Sequence, residues 1–163
     1  MPETGSSKIL YTSRCALVPA QFFEPSSARA MLVETADVDE SDEVSSVPVP
    51  WCDAVLVFAH PAGDDSLPEL YHLLMKAGSL REHNRIVAAY RGGVLYLVVA
   101  EDSVLRLCNS FQAMDFTTAE YFLFMALKRL QINPEISAVY VRTPLEQEQE
   151  MSLYRYFKSV ERI

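Results

Sequence analysis

A mixed α/β protein is what this sequence predicts, and three observations carry the prediction. Between residues 85 and 110, three β-rich runs (85–90, 94–100 and 104–110) are separated by Arg91-Gly92-Gly93 and Glu101-Asp102-Ser103, the pattern of an antiparallel meander. Downstream, Thr117 and Glu120 stand at capping-box spacing before a long apolar stretch, which opens a helix. A further strand at 138–142 and a second helix start at Thr143-Pro144-Leu145-Glu146 complete the order strand, strand, strand, helix, strand, helix.

From the start of the chain, residues 7–18 carry Ile9, Tyr11, Cys15, Ala16, Leu17 and Val18 and read as strand, and Pro25 opens a short helix to Val33. Residues 1–33 are thus a front piece too small to fold alone, with its apolar residues docked on the rest of the chain. Residues 34–50 mix acids, serines and two prolines and read as a solvated acidic linker. Residues 51–163 form the main domain. Within it, Ala-Val-Leu-Val-Phe-Ala at 54–59 is a continuous apolar run, expected inside a sheet and buried on both faces. Ser66-Leu67-Pro68-Glu69 fits a capping box for a helix carrying Leu67, Leu70, Tyr71 and Leu74 on one face, with Gly78 as its left-handed stop. The helix after Thr117 is apolar nearly all round through residues 121–127 and is expected at the centre of the core, ending at Asn133-Pro134. The last helix is expected to carry Leu153, Tyr156, Phe157 and Val160 on one stripe.

Charge and cysteine content narrow the function classes. The 163 residues hold 14 Lys and Arg against 22 Asp and Glu, a net charge of −8, which opposes phosphate backbones and anionic membranes, so neither nucleic acid nor membrane is expected as a partner. The charge is uneven: residues 30–75 contain no Lys or Arg and carry −10, leaving the remainder at +2. Three cysteines, Cys15, Cys52 and Cys108, are odd in number and far apart, which argues against a disulfide scaffold and for a reducing compartment. Residues 1–7 lack the basic and apolar regions of a signal peptide, and the expected location is the cytoplasm.

Several stretches carry a resemblance. Ala16-Leu17-Val18-Pro19-Ala20-Gln21-Phe22-Phe23, Cys108-Asn109-Ser110-Phe111, Thr117-Thr118-Ala119-Glu120-Tyr121-Phe122-Leu123-Phe124 and Tyr154-Arg155-Tyr156-Phe157-Lys158-Ser159-Val160 resemble a bacterial domain-of-unknown-function family with the actin-like ATPase fold. The element order of residues 85–163 is likewise that of the ribonuclease H-like fold on which actin-like proteins are built. Members of that family look longer, with an earlier half and a final strand after the last helix, so the chain reads as a truncated member. The resemblance implies no activity, substrate or catalytic residue.

What it does implicate is one hairpin. Actin-like ATPases hold phosphates between the first two strands of each half, where an Asp binds the hydrated metal and glycines let amides approach the phosphates. The equivalent stretch here, 88–95, has Gly92 and Gly93, but Tyr90 and Arg91 stand where the acid is expected. The reading is a two-glycine turn needing positive φ, with phosphate binding by Arg91 and the Gly92 and Gly93 amides as the alternative.

Other constellations are set against plainer readings. His60, His72 and His83 have no metal-ligand spacing; His60 reads as a strand-end residue and the other two as solvated. Cys108 reads as a buried inert thiol, Cys52 as the exposed and more oxidisable one. Asp64 and Asp65 read as favourable charge near a helix start, Asn109 and Gln112 as buried amides, and Phe111, Phe116, Tyr121, Phe122 and Phe124 as core rather than a base-stacking platform. No catalytic residue, cofactor or metal is assigned. The functional expectation is a non-enzymatic actin-like protein acting through a protein partner or self-association. The alternatives are a nucleotide-binding or weakly hydrolytic protein, and a regulatory protein docking through the acidic segment.

Overall fold

The computed structural model describes residues 8–163, so the signal-peptide reading of residues 1–7 lies outside the described residues. The chain divides into two compact units, Met1–His72 and Leu73–Ile163.

In the first unit, β1 (Ile9–Leu10) pairs in parallel with the equally short β5 (Leu67–Pro68). A three-stranded antiparallel sheet has the order β2-β4-β3, from β2 (Cys15–Pro19), β3 (Glu43–Val49) and β4 (Ala54–His60). The apolar run of β4 takes the central place, where both of its edges are paired and Leu56, Val57 and Ala59 lie buried. The helix α1 (Ala28–Val33), entered through a 3₁₀ turn at Pro25–Ser27, packs Ala28 and Leu32 onto Val57 and Ala59.

Two features of this unit differ from the sequence reading. Glu43–Val49 is a strand rather than part of a loop. It is an edge strand, so Pro48 is tolerated and the polar residues can face solvent. The acids ahead of it are tied down: Arg14 Nη1 lies 2.6 Å from Asp42 Oδ2, and Arg29 donates to the Asp39 and Asp42 carbonyls at 2.7 and 2.8 Å.

The helix α2 (Glu69–Ser79) begins at Glu69, because Leu67 and Pro68 are held extended by β1. Gly78 lies inside α2 and is not a left-handed stop; Ser79 Oγ donates to the Lys76 carbonyl at 2.7 Å in the last turn.

The second unit holds a five-stranded sheet in the order β10-β9-β6-β7-β8. The meander is β6 (Asn84–Arg91), β7 (Val94–Glu101) and β8 (Val104–Gln112), with a bulge between Val99 and Ala100. After α3 (Phe116–Arg129), β9 (Ala138–Val141) adds in parallel to β6; after α4 (Gln147–Tyr154), β10 (Ser159–Arg162) adds in parallel to β9. One face of β6, β7 and β9 presents Ile86, Ala88, Leu95, Leu97, Val99, Val139 and Val141 to Ala119, Leu123 and Leu127 of α3 and to Leu153 of α4. The central strands are buried on both faces, with Val87, Ala89, Val98 and Ala100 also closed to solvent.

The final strand expected to be missing is therefore present, and the last helix is shorter than its apolar stripe implied. Leu153, Tyr156, Phe157 and Val160 do follow a helical spacing. However, Tyr156 and Phe157 N–H close turns onto the Leu153 carbonyl, and Val160 sits in β10 opposite Val139. The end of α3 also differs: Gln131, at φ +59, stops the helix before Asn133-Pro134, and the Ile132 N–H returns to the Leu127 carbonyl at 2.9 Å. Among the described residues no helix is long and apolar enough to cross a membrane.

Leu127 is 1% exposed at the centre of this packing, so Leu127→Ala should cost about 2–5 kcal/mol in urea unfolding. Val104→Thr, at a position 60% exposed, should stay within about 0.5 kcal/mol.

Candidate functional site

The hairpin joining β6 and β7 is the place to test for a phosphate site. Arg91 pairs with Val94, leaving Gly92 at φ +60 and Gly93 at φ +74 as a two-residue turn. Both residues need the left-handed region, and this turn matches the twist of the strands it joins. A Cβ on Gly92 would meet nothing within 4 Å, so the tip is open; at Gly93 the Ala113 carbonyl lies 3.7 Å from that position. The Ala113 N–H donates to the Gly93 carbonyl at 2.8 Å, which joins the tip of the hairpin to the end of β8.

Of Tyr90 and Arg91, the two residues read at the place of the expected acid, Tyr90 has its side chain engaged within the unit. Its hydroxyl donates to the Ala113 carbonyl at 2.7 Å, and its ring meets Phe116 edge-on at 5.9 Å between centroids. Its backbone N–H donates to Thr143 Oγ1 at 2.9 Å, while the Arg142 N–H donates to the Ala88 carbonyl at 3.0 Å. Burial raises the Tyr90 phenol above its ordinary pKa, with the Asp115 carboxylate adding to the rise, so the group stays a neutral donor. Beneath the turn, Tyr90, Leu95, Phe116, Glu120, Leu145 and Leu153 line a small pocket of about 20 Å³. That is room for about one water.

This geometry also explains two displaced helix caps. Thr143 does not cap α4, because its hydroxyl oxygen is used by the Tyr90 N–H; Glu146 takes the cap position and its N–H is accepted by Gln149 Oε1 at 3.0 Å. At α3 the cap is Asp115 rather than Thr117, with Asp115 Oδ1 accepting the Thr118 N–H at 2.8 Å. That bond holds the Asp115 carboxyl below the usual range. Glu120 instead accepts from the Ser152 hydroxyl at 2.7 Å, linking α3 to α4.

The remaining sequence candidates lie apart on different elements. His60, at the end of β4, is 5% exposed: its Nδ1 donates to the Pro61 carbonyl at 2.9 Å, and its Nε2 lies in hydrogen-bond contact with the Ser45 hydroxyl at 2.6 Å. Sequence reasoning misses this pair because the composition around Ser45 reads as loop. A peptide carbonyl rather than a carboxylate orients the ring, so the arrangement satisfies a buried histidine more than it activates a serine. His72 lies in α2, and exposed His83 has Nδ1 3.0 Å from Asp102 Oδ2. Among the described residues no three His, Cys, Asp or Glu side chains form a metal-binding group.

Cys15, Cys52 and Cys108 are thiols outside any disulfide and half-buried, so Cys52 is less exposed and Cys108 less enclosed than expected. Burial pushes the Cys15 thiol up to about 12 and raises Cys52 as well, which leaves little thiolate at neutral pH. Asp64 Oδ1 accepts the Ser66 N–H at 2.8 Å, an interaction that lowers its pKa and forms a turn ahead of α2. Asn109 and Gln112 are exposed rather than buried, since β8 is an edge strand. Phe111, Phe116, Phe122 and Phe124 pack against the core, with Phe111 on Phe122 at 5.3 Å and Phe124 near Phe157 at 5.6 Å, whereas Tyr121 is 52% exposed rather than core.

The family described as Protein of unknown function (DUF3822) matches residues 66–160, more than half of the chain. The chain belongs to this DUF3822 family. Among solved structures it is similar to a Bacteroides thetaiotaomicron protein with actin-like ATPase fold and unknown function, with a TM-score of 0.76 and 17% identity. The match covers 95% of this chain and 66% of that one, so the chain spans just under two thirds of its neighbour's length. No curated protein matches the chain. This DUF3822 protein therefore has the actin-like ATPase fold, as the meander-helix-strand-helix order implied.

Because Gly92 is at φ +60, Gly92→Val should lower stability by about 1–2 kcal/mol, and Gly92→Asn by less, since Asn enters the left-handed region more readily. The Asp115 pKa is lower folded than unfolded, so its cap contributes stability above about pH 4 and loses it as pH falls through the folded value. In urea midpoints followed from pH 6 to pH 2, Asp115→Asn should flatten the acid limb while keeping the cap acceptor.

Proposed function

We propose that this DUF3822 protein is a non-enzymatic actin-like module that acts through contacts with other proteins. The observation that carries the reading is Tyr90. At the position where actin-like ATPases present a metal-binding acid, its side chain donates to the Ala113 carbonyl and packs on Phe116. A phenol held neutral offers no anionic oxygen to a hydrated cation, and the one acid lining the small pocket behind it, Glu120, has its carboxylate engaged by the Ser152 hydroxyl. Without a cation, triphosphate charge at the hairpin would have only Arg91 and turn amides to meet it.

A nucleotide-binding reading is favoured by one feature, the open space over Gly92 beside exposed Arg91, where a phosphate could approach the turn amides. The acidic-arm reading draws less support, because Asp39 and Asp42 are held by Arg14 and Arg29 ahead of an ordered strand.

Calorimetry with ATP and Mg²⁺ decides between the first two. The expected result is no saturable heat up to millimolar nucleotide, unchanged in Arg91→Glu. Micromolar binding that is lost in Arg91→Glu would overturn the proposal. Tyr90→Phe should cost about 1 kcal/mol in urea unfolding, by leaving the Ala113 carbonyl without the hydroxyl donor.

A further inference from the structure

The outer edge of the five-stranded sheet is β8, nine residues long, and among the described residues no strand pairs with that edge. Long unpaired edges invite another strand, and proteins usually blunt them with charge or proline. Here the only charge in Val104–Gln112 is Arg106, which is engaged by Glu101 at the hairpin end, and there is no proline. The Ser110 N–H is satisfied by the side chain of its own neighbour, with Asn109 Oδ1 accepting at 2.8 Å, a bond that an incoming strand can displace.

Beside this edge runs a groove of about 270 Å³ between β8 and α3, with Leu107, Phe111, Phe122, Met125 and Leu130 as its apolar wall. Phe111 stacks on Phe122 at an interplanar angle of 14°. Two helical turns beyond Phe122, Arg129 enters the lining; its side chain and that of the preceding Lys128 are exposed and make no ion pair or hydrogen bond among the described residues. The groove lining contains no acid. Arg129 is thus an uncompensated cation in the lining of an apolar groove, with the exposed Lys128 beside it in sequence.

From this arrangement we infer that the β8–α3 groove docks an extended, acidic-ended segment of a partner protein as a sixth strand. Its main chain pairs with the outer edge of β8, alternate apolar side chains enter the groove, and a terminal carboxylate pairs with Arg129. The inference rests on the reading that the protein works by protein contact, and it names the surface.

The probe is a fluorescein-labelled decapeptide of alternating Val and Thr ending in two Glu. One control ends in two Lys; another is the acidic peptide N-methylated at alternate residues, which blocks strand pairing without touching the protein. Anisotropy should show micromolar saturable binding of the acidic peptide, at least tenfold weaker binding of the Lys peptide, and none of the N-methylated one. Arg129→Glu, an exposed substitution that leaves folding intact, should invert the ranking of the first two peptides. In ¹⁵N spectra the shifted amides should fall within Val104–Gln112 and α3. Equal affinity for all three peptides, no saturable binding, shifts elsewhere, or a dimer that buries β8 and excludes the peptide would each overturn the inference. None of these outcomes involves nucleotide, so failure here leaves the Tyr90 reading standing, and ATP binding would overturn that reading without moving these shifts.

Discussion

The second unit is organised around the two hydrogen bonds that Tyr90 makes in opposite directions. Its hydroxyl reaches the Ala113 carbonyl at the end of β8, and its N–H reaches Thr143 at the end of β9. One residue at the tip of β6 thereby joins the antiparallel half of the sheet to the parallel half. The helix starts lie close to these anchors: α3 opens at Phe116 on the Asp115 cap, just after the β8 end that Tyr90 holds, and α4 is capped by Glu146 while Thr143 serves the Tyr90 amide. Removing one partner would leave a half-buried carbonyl or amide without that bond.

The same constraint connects fold to function. Tyr90, two residues before the turn, has its hydroxyl and its amide both committed to bonds that hold the sheet together. The turn keeps its phosphate-cradle shape because two left-handed glycines are the least strained way to close a two-residue hairpin, whether or not a ligand is bound. Shape at this turn is therefore weak evidence for nucleotide, and the chemistry of the residue beside it is the stronger.

The elements that could be read from the sequence are those whose signals are local. The meander was legible because Gly92-Gly93 and Glu101-Asp102-Ser103 punctuate runs of strand length, and β4 because its run is uniformly apolar. What escaped depended on distant partners. Glu43–Val49 and Ser159–Arg162 are edge strands with few buried residues, and their extended form comes from pairing with β4 and β9 rather than from composition. Leu153, Tyr156, Phe157 and Val160 mimicked a helix because two turns off the end of α4 keep the same spacing. Thr143 and Thr117 satisfy the local capping rule, but a long-range amide claimed the first and an acid two residues earlier displaced the second. At the hairpin, the missing acid and the positive φ of both glycines were readable; the inward bonds of Tyr90 were not, since Ala113 and Thr143 are 23 and 53 residues away.

Hydrogen exchange at the hairpin tests the anchoring role of Tyr90 at its source, because it reads the Tyr90 amide itself. With the amide held by Thr143 and the hydroxyl by Ala113, the Tyr90 N–H should exchange as slowly as the central amides of β7, with the same rate whether or not saturating MgATP is added. A Tyr90 amide that exchanges as fast as the exposed turn residues, or that becomes protected only when nucleotide is present, would be incompatible with a tyrosine locked into the sheet.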